Sequence, residues 1–186
     1  MKKSKIFVAW ILVLILAMSM SLAACGEKSP TTTTKEPATN KVTSTESNIS
    51  FEFPTGWSEE ELNDVASIEQ AKPSTEEYFI LIEEPRDDFS DDFTLDGYAE
   101  VIANAMLEVI DSSNMGDWEE IQIGDADIPA LQVEIKGEVE NIKVAYLLTV
   151  FQSDSKFYQG LSWSLQSKYN SVKPNFQDIL NTVDLG

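Results

Sequence analysis

Val144-Ala145-Tyr146-Leu147-Leu148-Thr149-Val150-Phe151 decides the fold. The stretch has the length of a strand, yet it does not alternate. A strand in an antiparallel sheet with one wet face places apolar and polar residues on opposite sides with period two. Here both sets are apolar, which predicts a central strand covered on both faces. The runs on either side, Ile128 to Glu138 and Lys156 to Gln166, also read as strands, with Val139 to Gln152 between them. Their connections are short: Lys136-Gly137-Glu138 before and Ser153-Asp154-Ser155 after. Such short turns require antiparallel neighbours, because a parallel crossover needs a dozen residues or more.

Working outward, Trp118 to Ile123 reads as a further strand. Ile49, Phe51 and Phe53 alternate with polar neighbours until Pro54-Thr55-Gly56-Trp57 ends the run. Two more extended runs are expected near Asp64 to Ala71 and Glu77 to Glu83. The period then changes: Tyr98, Val101, Ile102, Ala105, Met106 and Val109 fall on one helical stripe. Thr94 is placed as its N-cap and Asp96 lies in the first turn. A second stripe, Val172, Phe176, Ile179, Leu180 and Val183, closes the chain, with Pro174 expected in its first turn. A doubly covered central strand and two helices lead to an α+β fold. The expected arrangement is an antiparallel sheet of about six to seven strands with helices on both faces, an α/β/α sandwich.

Certain segments, taken in order, resemble a known family. They are "ISFEFPTGW", "DFTLDGYAEVIANAM", "IQIGDADIPALQVEI", "AYLLTVFQSDSKFYQGLSWS" and the terminal "ILNTVDL". Together they are similar to the PsbP/Mog-like fold, particularly its lipid-anchored bacterial members, over nearly all of Asn48 to Leu185. The order of elements carries the resemblance rather than any single motif. Members of that family include an extrinsic subunit of the photosynthetic oxygen-evolving complex and a factor that binds the Ran GTPase. The resemblance implies an interaction module rather than an enzyme, and it carries no functional residue onto this chain, since one fold hosts many roles.

The first residues point to an address. Lys2, Lys3 and Lys5 precede an almost wholly apolar run from Ile6 to Met20, the layout of an export signal. That run is shorter than the roughly 20 residues of a spanning helix. Leu22-Ala23-Ala24-Cys25 follows and resembles the lipobox of bacterial lipoproteins. The resemblance implies cleavage after residue 24 and diacylglycerol on the Cys25 thiol, and two acyl chains hold to a bilayer far better than one. Cys25 is the only cysteine of the chain. It therefore reads as a membrane anchor, with the folded part on the extracytoplasmic side. Gly26 to Ser47 is dominated by Thr, Ser, Lys, Glu, Pro and Asn, a composition that cannot bury enough surface to order itself. Residues 25–47 are expected to be a disordered tether, and 48–186 a single globular domain.

Charge and composition narrow the chemistry. The chain has 13 Lys+Arg against 32 Asp+Glu. Loss of residues 1–24 removes three lysines and no acid, leaving 10 against 32 and a net charge of -22. Nucleic-acid binding is excluded, since phosphate recognition needs clustered basic residues. There is no histidine. Ser-His-Asp and Cys-His catalysis and histidine zinc sites are thereby ruled out. Ser153-Asp154-Ser155-Lys156 matches Ser-x-x-Lys but falls in an expected turn, and its companion Ser-Asp-Asn and Lys-Thr-Gly motifs are missing. No Gly-rich phosphate loop or dinucleotide fingerprint occurs.

Two features offer candidate sites. The acidic loop Glu83 to Gly97 gathers Asp87, Asp88, Asp91, Asp92 and Asp96. Calcium takes six to eight oxygens from such sets, although the spacing is not that of an EF-hand. The other reading of this loop is a solvated turn with Phe89 and Phe93 tucked against the domain. Trp57, Trp118 and Trp163 read as core or turn packing, with an exposed aromatic patch for a partner as the alternative. No cofactor is called for. The function that the two resemblances imply is a lipid-anchored accessory module that docks on an envelope or secreted protein; the alternative is a lipoprotein that binds or senses a small ligand or a metal ion such as calcium.

Overall fold

Packing on the central strand explains its lack of alternation. The computed structural model of the chain describes residues 39–186. In chain order the elements are β1 (Thr39–Thr43), β2 (Ser50–Pro54), β3 (Ser58–Glu59), β4 (Ile68–Lys72), β5 (Glu77–Pro85), a 3-10 turn (Arg86–Asp88), α1 (Leu95–Val109), β6 (Asp111–Met115), β7 (Glu119–Ile123), β8 (Ile128–Val139), β9 (Ile142–Gln152), β10 (Lys156–Leu165) and α2 (Gln166–Leu180). Within β9, Ala145, Leu147 and Phe151 join one apolar cluster with Tyr169, Val172, Phe176, Ile179 and Leu180 of α2. Val144, Tyr146, Leu148 and Val150 join a second cluster with Tyr98, Ala99, Ile102, Ala103 and Met106 of α1. Successive side chains of a strand point to opposite faces. Both faces of β9 are therefore buried.

One antiparallel sheet runs in the order β3-β4-β5-β10-β9-β8-β6, with β7 also paired to β8. It has eight strands, rather than the six or seven expected, because β3 and β6 are strands only through their partners. Neither carries a period-two apolar pattern of its own. β1 and β2 form a separate two-stranded pair. Phe51 and Phe53 of β2 lie 5.1 and 5.3 Å from Phe79 of β5, ring centre to ring centre, in the cluster that holds α2. The molecule is a mixed α+β fold with antiparallel sheets and two helices.

Several expectations are corrected. Residues 39–43, placed in a disordered tether, form β1. Val42 packs against the core, Lys41 Nζ lies 3.2 Å from Asp184 Oδ2, and Ser44 is buried. Composition judges a segment in isolation, whereas β1 is ordered by what it pairs with. The early part of the run expected from Asp64 is a turn, and β4 starts only at Ile68. The hairpin between β8 and β9 turns at Glu140-Asn141 (φ 51° and 66°), not at Gly137. Positive φ at both central residues is the geometry of a two-residue hairpin. Gly137 instead allows a close approach: a Cβ there would strike the Ile110 side chain and come within 2.8 Å of the Asp111 carbonyl oxygen.

Pro174 lies inside α2, which begins at Gln166. The carbonyl of Asn170 loses its intrahelical partner there, and both Asn170 and Pro174 are exposed, so water can serve it. The Thr94 N-cap stands as expected: its hydroxyl accepts from the Gly97 N–H at 3.1 Å. The buried stripe of α1, however, is Tyr98, Ala99, Ile102, Ala103 and Met106. Val101 and Val109 are 48% and 51% exposed. The residues expected as tether up to 38, the export signal and Cys25 lie outside the described residues.

Candidate functional site: an aromatic shelf beside α1

α1 crosses the sheet obliquely. Near its start, the Tyr98 hydroxyl donates to Glu84 Oε2 of β5 at 2.5 Å, while just past its end Ile110 sits over Gly137 of β8. Among the described residues, α1 makes its main contacts with β9, β8 and β6 rather than with the far end of β5 and β10.

Register brings three aromatic rings together at that far end. Trp163 of β10 pairs with Tyr78 of β5 on one side and Tyr146 of β9 on the other. Trp163 and Tyr78 stack with ring centres 5.3 Å apart and planes at 15°; Trp163 and Tyr146 are 6.1 Å apart at 38°. Tyr78, Trp163 and the neighbouring Leu161 are half-buried, and Tyr146 is 9% exposed. Burial pushes the Tyr146 phenol up to about 12. The Tyr78 phenol is also raised, by burial first and then by the negative charges of Glu76 and Glu60.

The wall of this shelf is α1. At 100° per residue, Val101, Ala105 and Val109 share one flank of the helix, opposite Leu107, which is partly buried against the core of Tyr98, Ile102 and Met106. A right-handed helix laid over β9 and β8 turns that flank toward β10 and β5. On that flank Val101 and Val109 stand exposed, at 48% and 51%. α1 has Asp96, Glu100 and Glu108 and no lysine or arginine, so its last turn, the negative end of the helix dipole, carries an acid and no base. An aromatic floor, an apolar wall and anionic borders make a surface for groups that are both apolar and cationic.

A second concavity, of about 370 Å³, lies between β7, β8 and α2. Its lining is mostly polar and includes Gln122, Gln132, Gln177 and Asn181. Gln132 is held by a hydrogen bond from its Nε2 to Thr149 Oγ1 at 2.9 Å.

The residues singled out in the sequence are placed as follows. Asp87 and Asp88 lie in the 3-10 turn, Asp91 and Asp92 in the loop after it, and Asp96 in the first turn of α1; all five are exposed. Among the described residues no three Asp or Glu are grouped so as to hold a metal ion. Phe89 and Phe93 stack on each other at 4.9 Å and meet Phe157 edge-on, which seats the loop on the core. Trp57 is buried near Phe53 and Phe176. The Ser153–Lys156 motif is structural: the Lys156 N–H donates to Ser153 Oγ at 3.2 Å, and the Lys156 ammonium pairs with Glu83 at 2.7 Å. Sequence reasoning gave Tyr78 no role and put Val101 and Val109 on the single apolar stripe of α1. The available signal was α1 itself, apolar on more faces than one sheet can cover.

No protein-family model matches the chain, and no curated protein matches it. Among solved structures, cyanobacterial PsbP (CyanoP) from Synechocystis sp. PCC 6803 is similar with a TM-score of 0.60 and 13% identity, covering 89% of this chain and 99% of that one. LpqN, described as involved in cell envelope biogenesis of Mycobacterium tuberculosis, is similar with a TM-score of 0.53 and 15% identity over 80% of this chain and 91% of that one. A protein of unknown function from Pseudomonas aeruginosa aligns with a TM-score of 0.50 and 9% identity, over 77% and 94%. The likeness is one of fold: this chain has a PsbP-like fold.

Proposed function

We propose that the chain is an extracytoplasmic lipoprotein, anchored through Cys25, whose PsbP-like part is a non-enzymatic accessory module that docks on an envelope or secreted protein. The observation that carries the docking is the stacked, half-buried pair Tyr78–Trp163, backed by the buried Tyr146, together with the exposed Val101 and Val109 of α1. Aromatic side chains at interfaces supply large contact area at low entropic cost, and exposed apolar patches on folded proteins mark interaction sites. The envelope role printed for LpqN supports the location, and the absence of histidine supports the non-enzymatic reading. Placing α1 and α2 on the two faces of a full α/β/α sandwich belongs to the same proposal, with the shelf as the part of one face that the partner completes.

The test is photo-crosslinking in cells that make the chain, with a benzophenone amino acid in place of Val101, Val109 or, as control, Asp125 in the β7–β8 turn. The expected result is one discrete protein adduct shared by positions 101 and 109 and absent at 125. Equal adducts at all three, or none, would overturn the docking. Cys25→Ser should move the protein from the membrane to the soluble fraction; unchanged membrane retention would remove the anchor.

A second reading, capture of a small polar solute, is favoured by the carboxamide-lined groove between β7 and α2. A solute that raises the melting temperature of the wild type but not of Gln177→Ala would support it.

A further inference from the structure

Acids border the shelf. Glu60 and Glu76 bear on the Tyr78 phenol, Glu108 stands in the last turn of α1, and Lys168 is paired with Glu76 at 2.7 Å. An acid in the last turn opposes the helix dipole, so Glu108 weakens α1 rather than supporting it. The face of an aromatic ring not covered by a neighbour is itself negative and attracts ammonium and guanidinium groups, whereas the ring edge is positive. Apolar contact area and a net negative potential therefore coincide on one surface.

We infer that the occupant of the shelf is a basic segment of the partner protein: a lysine or arginine over Trp163 and Tyr78, with apolar neighbours against Val101 and Val109. This rests on the docking reading and adds to it the chemistry of the partner. The overall charge of -19 draws basic surfaces toward the whole molecule at long range. The aromatic row supplies the local selectivity, since a cation over an indole gains what an aliphatic surface does not provide.

The test uses the full chain carrying the benzophenone at Val101, in cells, with adduct yield and the identity of the crosslinked peptide as readouts. Trp163→Phe keeps an aromatic face, Trp163→Leu keeps apolar volume alone, Glu108→Lys reverses a charge at the shelf, and Asp125→Lys makes the same change far from it. The expected result is a crosslinked peptide containing lysine or arginine. Its yield should fall about tenfold for Trp163→Leu and for Glu108→Lys while holding for Trp163→Phe and Asp125→Lys. Glu108→Lys should at the same time keep or raise the melting temperature, which separates lost binding from lost folding even if Trp163→Leu is poorly stable. Equal loss with Asp125→Lys would reduce the effect to net charge and overturn the inference. So would a crosslinked segment that is acidic or wholly apolar, or an adduct with lipid, in each case with a shelf that still docks something. No adduct from the unsubstituted shelf would remove the docking reading itself.

Discussion

Glu83 on β5 has no exposed side-chain surface, yet it sits among donors: Lys156 Nζ at 2.7 Å, Ser67 Oγ at 2.8 Å and Ser44 Oγ at 2.5 Å. Burial pushes its pKa up, but hydrogen bonds from Lys156, Ser44, Ser67 and Ser47 together outweigh this and hold the folded carboxyl below the usual range. A carboxyl lowered on folding contributes stability above its unfolded pKa and loses it as pH falls through the folded value. The melting-temperature advantage of wild type over Glu83→Gln should therefore be full at about pH 6 and shrink below about pH 4. An advantage that grew with acidity would refute the assignment. Lys156→Met leaves the carboxylate buried without its cation, and urea unfolding should show a loss of about 2 kcal/mol. The same pairing explains why Ser153-x-x-Lys156 is no catalytic motif here, since its ammonium is committed to Glu83. Nothing in the local sequence shows this, because the partner lies 73 positions away.

At the scale of the element, α1 carries two apolar stripes and the sheet can accept one. Ile102→Ala, on the buried stripe, should cost about 2 to 4 kcal/mol. Val101→Ser and Val109→Ser should each change stability by less than about 0.5 kcal/mol. Denaturant melts of the three variants check both statements, and a large loss at Val101 would mean that the helix is rotated. Gly137→Ala should cost about 1 to 3 kcal/mol, since the added methyl meets Ile110 and the Asp111 carbonyl. The span of α1 and its Thr94 cap were legible because capping and periodicity are local. Its rotation was not: Tyr98, Ile102 and Met106 fit a helical period as well as Val101, Ala105 and Val109 do. The choice was made by tertiary packing, with Ile110 set against Gly137 of β8.

At the scale of the whole molecule, the N-terminal boundary of the fold depends on a contact between distant segments. β1 is held by β2, by Val42 on the core, by the Lys41–Asp184 pair and by Ser44 on Glu83. A chain beginning at Thr39 should unfold like the full-length protein, while one beginning at Asn48 should lose about 2 to 3 kcal/mol. Identical stability of the two would mean that β1 contributes nothing. The aromatic shelf has the same origin, for Tyr78, Trp163 and Tyr146 come from three strands and touch only through the order β5-β10-β9.

The sequence by itself determined that this chain has a doubly covered central strand, antiparallel hairpins around it, two amphipathic helices and an acidic surface without histidine chemistry. These follow from periodicity, turn length and composition, which act between near neighbours along the chain. Only the tertiary structure decided that Thr39 to Thr43 is a strand, which stripe of α1 is buried, and that three aromatic rings form a shelf at the far end of β5 and β10. Each depends on which strands become neighbours and how obliquely α1 crosses them. Those outcomes are selected by burying the most apolar area at once, a sum over distant residues that no local stretch contains.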